Sequence, residues 1–250
     1  MITDIHCHLD LDYYDDLDSI LENAKNNDVG KLIYNGTNIY NNKYVLDIIS
    51  KYDNVYGAIG FHPTELDEVK ESDYEFLERE IQNKKIVAIG EIGLDYHYPD
   101  TDKELQKRHF IRQLELAKKY DIPVIIHSRD AIQDTYDLVK KYKVRGVLHC
   151  YSGSVEMARE FIKLGIYISI GGVVTFNNAK NVIDVIKDID LSYLLVETDS
   201  PYLTPEPYRG KRNEPAYVIY VVKKIAQIRE IDINKLKNIL SSNVFRLFDI

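Results

Sequence analysis

Residues 85–127, KIVAIGEIGLDYHYPDTDKELQKRHFIRQLELAKKYDIPVIIH, contain two short apolar runs on either side of a long amphipathic stretch. The runs KIVAIG (85–90) and PVIIH (123–127) are almost continuously apolar, which is typical of strands that are buried on both faces. The stretch 102–120 repeats apolar residues at helical spacing. A strand, a helix and a second strand in this order predict that the two strands pair in parallel.

The same alternation extends over the whole chain. Six further runs predict strands: MITDI (1–5), GKLIYN (30–35), VYGAIG (55–60), GVLHC (146–150), YISIG (167–171) and LLVET (194–198). Amphipathic helices are predicted at 16–27, 41–52, 130–142, 154–164 and 179–188, with a helical tail at 214–230 and 234–248. This pattern favours an α/β (β/α)8 TIM barrel, with residues 1–250 forming a single domain that ends in C-terminal helices. An open dinucleotide-binding sheet is disfavoured because no G-x-G-x-x-G motif follows the first strand.

Composition is typical of a globular protein. Hydrophobic residues make up 45% of the chain and charged residues 29%, and no run is long and apolar enough for a membrane span. The first residues lack the pattern of a signal peptide, and two cysteines cannot form a disulfide framework, so we expect a cytoplasmic protein. The net charge of -8 argues against a protein that coats nucleic acid through a cationic surface. It does not exclude a nuclease, because bound cations supply positive charge locally.

Histidines and carboxylates recur near the ends of the predicted strands, where active sites of (β/α)8 barrels collect. In the first strand, His6 and His8 are expected to share a face while Cys7 points away, so the two imidazoles can chelate one ion. Simple hydrogen bonding at a strand end explains an isolated H-x-H equally well. Imidazoles and carboxylates that converge from several strands favour a divalent ion such as zinc or manganese. The histidines and carboxylates at these strand ends are His6, His8, His62, Glu91, His127, His149 and Asp199.

Seven motifs in chain order resemble the TatD family of metal-dependent deoxyribonucleases, a branch of the amidohydrolase-like metal-dependent hydrolases. They are DIHCHLD, GFHP, GEIGLDYH, IIHSRDA, LHCYSG, ETDSPYLTP and RGKRNEP, and the resemblance runs from Asp4 to the C-terminus. It implies two divalent metal ions. One ion is expected on His6, His8 and Asp199, the other on His127 and His149, and Glu91 is expected to bridge both.

The resemblance also implies roles for Asp199 and Glu91 as catalytic residues. Two ions lower the pKa of a shared water and stabilise the leaving oxygen of a phosphodiester. Asp199 is expected to accept a proton during attack in addition to binding metal. Glu91 takes the position at which related enzymes carry a modified lysine, and it needs no modification. The ligand set leaves zinc, manganese and magnesium open, because histidine favours the first two while nucleases often use magnesium.

Three residues outside this ligand set are predicted to bind substrate, each with a structural alternative. His62 either hydrogen-bonds a phosphate or shapes its loop. Arg129 offers bidentate phosphate recognition, or it pairs with Asp130 or a helix. Tyr151 lies at a strand-to-helix turn that suits an anion, although tight-turn geometry also explains the neighbouring glycine.

The proline-rich loop at 200–215 supplies three more candidate substrate-binding residues: Arg209, Lys211 and Arg212. Their excess over Glu206 and Glu214 is one positive charge, which suits a local phosphate contact or an ordinary solvated surface. Among the twenty tyrosines, only Tyr151 and Tyr202 are candidates for base stacking, because most of the others fit packing.

The function that the resemblance implies is hydrolysis of DNA phosphodiester bonds by a water activated by two metals. The expected enzyme is a 3′–5′ exodeoxyribonuclease that acts on single-stranded or damaged DNA in DNA repair or degradation. It is expected to be a monomer that does not associate with a membrane. The same chemistry cleaves carbonyl esters and amides, so a metal-dependent esterase or amidase such as a D-aminoacyl-tRNA deacylase is the alternative. A silent metal-binding scaffold is disfavoured because all six ligand positions carry competent residues.

Overall fold

The computed structural model describes residues 1–250 and contains eight strands that alternate with helices. The strands are β1 (Ile2–Cys7), β2 (Val29–Asn35), β3 (Val55–Ile59), β4 (Ile86–Asp95), β5 (Val124–Arg129), β6 (Gly146–Leu148), β7 (Ile166–Ile170) and β8 (Leu194–Val196). The helices are α1 (Leu17–Asn26), α2 (Ile39–Lys51), α3 (Glu71–Glu80), α4 (Lys103–Tyr120), α5 (Ile132–Tyr142), α6 (Val155–Lys163), α7 (Lys180–Asp188), α8 (Val218–Arg229) and α9 (Ile233–Phe248).

The order of the strands in the sheet is the order of the strands in the chain, from β1 to β8. β1 pairs with β2, β3 with β4, β4 with β5, β5 with β6 and β7 with β8, all in parallel. Parallel strands that follow one another in sequence order, with helices between them, confirm the predicted (β/α)8 TIM-barrel fold.

The chain comprises two compact units. The first unit contains Met1–Tyr34, His149–Lys163 and Tyr167–Ile250, and the second contains Asn35–Leu148 and Leu164–Ile166. The core of each unit consists of buried aliphatic residues from its strands, for example Ile5, Leu32 and Leu195 in the first and Ile59, Ile89 and Ile125 in the second.

Several helices begin at a side-chain cap that the sequence provides. Asp16 accepts a hydrogen bond from the amide of Ser19 at the start of α1, and Asn38 caps α2 in the same way. Asp102 and Asp232 cap α4 and α9. None of the nine helices combines the length and the apolar character that crossing a bilayer requires.

Several boundaries differ from the sequence predictions, and the largest shifts are at the end of β4 and the start of α8. β4 does not stop at Gly90 but continues to Asp95, so Glu91 lies inside this strand. The predicted helix at 214–230 begins with a 3-10 turn at Pro215–Tyr217, and α8 follows from Val218. The proline at 215 lacks an amide hydrogen and is therefore tolerated at the first position of the turn.

Candidate metal-binding site

In the first unit, the ends of β1 and β8 are joined by backbone hydrogen bonds. The amide of Asp199 donates to the carbonyl of His6 at 2.9 Å, and the amide of His8 donates to the carbonyl of Ser200 at 2.8 Å. These bonds hold Asp199 beside both histidines. Its backbone φ is 54°, in the left-handed region that aspartate tolerates better than most residues.

Three histidines and one carboxylate meet at this point and form the first-unit cluster, which consists of His6, His8, His149 and Asp199. Oδ1 of Asp199 lies 3.7 Å from Nε2 of His6 and 3.8 Å from Nε2 of His8. The rings of His6 and His149 are stacked with centroids 4.0 Å apart. Ligand atoms of His6, His149 and Asp199 all lie within 4.8 Å of one another.

Two buried carboxyl groups, those of Asp4 and Glu197, hold the segments that carry this cluster. Asp4 accepts hydrogen bonds from the Thr198 amide at 2.9 Å and the Thr198 hydroxyl at 2.5 Å, which ties β1 to the segment after β8. Burial raises the pKa of Asp4 to about 8. Oε1 of Glu197 lies 3.4 Å from Nδ1 of His149 and accepts the Cys150 amide at 2.6 Å.

Glu197 is the more deeply buried of the two acidic residues that flank Thr198. Its side chain is 0% exposed, against 14% for that of Asp199. Burial raises the pKa of Glu197, but the hydrogen bond with His149 and the charges of His149 and His6 outweigh burial, so the net pKa is lowered. Glu197 therefore orients the His149 ring as an ionised carboxylate, the arrangement that typically supports a metal-ligating histidine.

In the second unit, a glycine brings β4 close to β5. Gly93 pairs with His127 and has φ 146°, and a Cβ atom at Gly93 would lie 1.9 Å from the His127 carbonyl oxygen. Only glycine permits this approach. Two residues earlier in β4, Glu91 directs Oε1 to within 3.0 Å of Nδ1 of His127.

His62 completes the second-unit cluster, which consists of His62, Glu91 and His127. Nε2 of His62 lies 3.5 Å from Oε1 of Glu91, and ligand atoms of the three residues lie within 4.8 Å of one another. Nδ1 of His62 is hydrogen-bonded to the Thr64 hydroxyl at 2.8 Å. The sequence suggested a phosphate contact for His62, and the structure places its ring among potential metal ligands.

Asp95, at the end of β4, orients the ring of His127. Its Oδ2 lies 3.1 Å from Nε2 of His127, and its Oδ1 accepts the His97 amide at 3.0 Å. Burial raises the pKa of Asp95, but the hydrogen bonds from His127 and the His97 amide, with the charges of His127 and Arg129, lower it by more. His127 thus lies between the carboxylates of Glu91 and Asp95. Asp95 orients the His127 ring as Glu197 orients the His149 ring.

The donor atoms of both clusters fit a divalent ion. Ligands that are each about 2.0–2.2 Å from one ion lie at most roughly 4.4 Å apart. The separations of 3.7 and 3.8 Å in the first unit and of 3.0 and 3.5 Å in the second are inside this limit. Cys7 is outside the first-unit cluster, because its thiol is buried and donates to the Ile33 carbonyl at 3.5 Å.

The other predicted substrate-binding residues have varied surroundings. Arg129 is exposed, with its guanidinium 5.9 Å from the Tyr98 ring. Tyr151 is buried and donates its hydroxyl to the Ser154 carbonyl at 2.7 Å, and burial raises its pKa.

The three basic residues of the loop at 200–215 are all exposed and contact aromatic rings. Arg209 lies 4.1 Å from the Phe176 ring, Lys211 lies 5.6 Å from the Tyr208 ring, and Arg212 lies 4.8 Å from the Tyr14 ring. Arg212 also donates to the Tyr13 carbonyl. Their binding of substrate stays a prediction.

A cavity of about 480 Å³ opens in the second unit. It is bounded by the segments that follow β2 and β3, and one of its lining residues, Thr64, holds the His62 ring. Its charged lining residues are Lys43, Glu65, Asp67, Glu68, Lys70 and Asp73. Four carboxylates against two amines make this cavity acidic.

The profile of the family described as TatD related DNase matches residues 3–249. The chain belongs to the TatD family. The metal-dependent hydrolase YabD of Bacillus subtilis is 42% identical over 100% of both chains, and the metal-dependent hydrolase YcfH of Escherichia coli K12 is 39% identical over 100% of this chain and 96% of its own. Both are described as uncharacterized. The crystal structure of YjjV, a TatD homologue from Escherichia coli K12, superposes with a TM-score of 0.95 at 34% identity, covering 100% of this chain and 98% of that one.

Membership in the TatD family and the two clusters of histidines and carboxylates make this chain a metal-dependent hydrolase. Sequence reasoning overlooked two residues of the site, Glu197 and Asp95. Both lie in motifs that carry the resemblance, ETDSPYLTP and GEIGLDYH. Glu197 is two residues before Asp199, a spacing that signals a shared face, whereas nothing in the sequence reveals that Asp95 contacts His127.

Proposed function

We propose that this TatD chain hydrolyses phosphodiester bonds of DNA, as a 3′–5′ exodeoxyribonuclease that acts on single-stranded or damaged strands. The observation that carries the proposal is the pair of imidazole–carboxylate clusters, one in each unit, on the segments at the ends of the strands. The description of the family as DNases supports DNA as the substrate. A cytoplasmic location and a monomeric state remain predictions.

The metal ligands in this proposal are His6, His8 and Asp199 for one ion, and Glu91 and His127 with His62 for the other. The resemblance implies that His149 shares the ion of His127, but the His149 ring is stacked on His6, so the proposal groups His149 with the first-unit ligands. Divalent ions bound there would acidify a water and neutralise charge on a phosphoryl oxygen. The proposal includes two ions, and it leaves zinc, manganese and magnesium open. The bridging role of Glu91 stays a prediction from the resemblance.

Asp199 is the proposed proton acceptor. A general base needs access to the attacking water, and the Asp199 side chain is 14% exposed. Glu197 is 0% exposed and is committed to His149 and to the Cys150 amide, so it positions a ligand and does not reach the water. His149 and His127 keep their orientation through Glu197 and Asp95 while Asp199 changes protonation state.

A carbonyl-ester or amide hydrolase, such as a D-aminoacyl-tRNA deacylase, is the second candidate. The observation that favours it is the acidic cavity lined in part by Thr64, where four carboxylates against two amines suit the ammonium group of an aminoacyl ester better than a phosphate. The relatives named only as metal-dependent hydrolases are compatible with either reaction.

The decisive experiment compares the two substrates on the same protein. Protein loaded in turn with zinc, manganese or magnesium is incubated, with and without EDTA, with single-stranded DNA labelled at the 3′ or the 5′ end, and separately with D-aminoacyl-tRNA. A 3′–5′ exonuclease releases a 3′ label at once as a mononucleotide and shortens 5′-labelled DNA into a ladder. Intact DNA together with cleavage of the acyl bond would reject the leading proposal in favour of the second candidate.

A further inference from the structure

Two tyrosines of the first unit, one half-buried and one exposed, form an aromatic surface that we call the tyrosine shelf. Tyr13 lies in the segment after β1, and Tyr202 lies in the segment after β8. Their hydroxyls are hydrogen-bonded at 2.7 Å, and their ring centroids are 5.9 Å apart with the planes at 73°. Tyr202 is 50% exposed, so this side of the shelf is not part of the core.

The shelf adjoins the first-unit cluster. The Tyr202 ring lies edge-on to the ring of His8, with centroids 6.2 Å apart. The Tyr202 amide donates to the Asp199 carbonyl at 2.8 Å, so the turn that carries Asp199 also fixes the start of the shelf. A flat group that rests on Tyr202 therefore lies next to His8 and Asp199.

Two side chains of the loop at 200–215, those of Arg212 and Asn213, hold the backbone of Tyr13 and Tyr202 in place. Arg212 donates to the Tyr13 carbonyl, and Nδ2 of Asn213 donates to the Tyr202 carbonyl at 2.6 Å and to the Thr198 carbonyl at 2.8 Å. Asn213 is fully buried. The shelf is consequently preorganised, and a ligand that stacks on it does not have to order a mobile side chain.

The shelf presents an aromatic ring to a ligand, and a nucleobase matches that surface. The two hydroxyls bind each other, so the exposed half of the Tyr202 side chain is the surface that a ligand can contact. Stacking on a ring face requires no positive charge and accepts any of the four bases.

We propose that the tyrosine shelf stacks a nucleobase of the single-stranded DNA substrate, adjacent to the phosphodiester that is cleaved. This inference rests on the proposed nuclease function and adds Tyr202 as a substrate-binding residue of the same site. Arg212 and Tyr13 act as positioning residues for Tyr202. Because stacking tolerates every base, the shelf gives affinity without sequence preference.

The test combines a change in the protein with a change in the substrate. Initial rates are measured for wild-type protein and Tyr202→Ala on a single-stranded oligonucleotide and on versions with an abasic residue at each of the last three positions. Tyr202→Ala should raise KM roughly 5- to 150-fold on the normal strand. At one position the abasic strand should lower the affinity of wild-type protein by a similar factor, and Tyr202→Ala should then cause little further loss.

Two further variants separate stacking from folding. Tyr202→Phe keeps the ring and should restore most of the affinity, whereas Phe245→Ala removes an aromatic ring of α9 that is 60% exposed and should leave KM unchanged. A loss in Tyr202→Ala that is equal on normal and abasic strands at every position, or a KM for Tyr202→Ala equal to that of wild type, would overturn the proposal.

A binding measurement separates failure of the shelf from failure of the nuclease function. The chain contains no tryptophan, so the fluorescence of 2-aminopurine placed in the oligonucleotide can be excited apart from that of the protein. With EDTA present, wild-type protein should quench 2-aminopurine at the shelf position, and Tyr202→Ala should not. Quenching without any DNA cleavage by metal-loaded protein would reject the nuclease function and retain the shelf. If metal-loaded protein cleaves DNA, then absence of quenching together with equal KM values for wild type and Tyr202→Ala would reject the shelf and retain the nuclease function.

Discussion

At the scale of single residues, Asp199 and Glu197 have similar chemistry and different expected roles. Replacing Asp199 by asparagine keeps the size and the oxygen ligand but removes the proton acceptor. We expect kcat to fall by about 10²–10⁴-fold while much of the metal stays bound. The measured kcat checks the expected loss of activity, and metal content by atomic absorption checks that the metal stays bound. Asp12→Asn, at an exposed carboxylate after β1, is the control and should keep full activity. Activity retained in Asp199→Asn would remove Asp199 from the role of base.

Glu197→Gln tests the carboxylate that orients His149. Glutamine has the same size but no charge, so the hydrogen bond to Nδ1 of His149 is weakened while the packing is kept. We expect metal affinity to fall about 10–100-fold, measured by competition with a chelator. Glu156→Gln, on the exposed side of α6, is the matched control. An unchanged affinity in Glu197→Gln would show that the orientation of His149 does not depend on this charge.

At the scale of elements, β4 shows where sequence reasoning succeeds and where it fails. The runs that define the strands are visible because burial on both faces demands continuous apolar residues, and the histidines stand out at strand ends. The apolar run predicted a strand that ends at Gly90, whereas β4 continues to Asp95, and Gly93 lies where β5 approaches too closely for a side chain. The contacts of Asp95 with His127 and of His62 with Glu91 depend on distances between strands and loops that no local pattern encodes.

The pairing of β4 with β5 leads to a prediction about Gly93→Ala. A methyl group there would collide with the His127 carbonyl and would also strain φ, so we expect a loss of about 1–3 kcal/mol in stability or more, with weaker metal binding because His127 shifts. Thermal unfolding and metal titration measure the two effects. Gly165→Ala is a matched control, because Gly165 has φ 83° but a Cβ atom added to it would meet nothing within 4 Å. Gly165→Ala should lower stability through backbone strain while its metal affinity stays equal to that of wild type. Equal metal affinity in both variants would contradict the proposed role of the close approach.

At the scale of the whole molecule, each unit supplies a cluster of potential ligands, and the number of ions that the chain binds can be counted. Wild-type protein freed of metal and then titrated should bind two divalent ions per chain, one through each cluster. His6→Asn should remove the ion of the first unit, and His127→Asn should remove that of the second, so that each variant retains one. Ions that bind only the folded chain stabilise it by about 2.7 kcal/mol at a hundredfold excess over Kd, which corresponds to an increase in Tm of about 5–10 °C per site. The double variant is the control and should show no metal-dependent shift. A single ion bound per chain by wild-type protein would contradict the proposal of two ions.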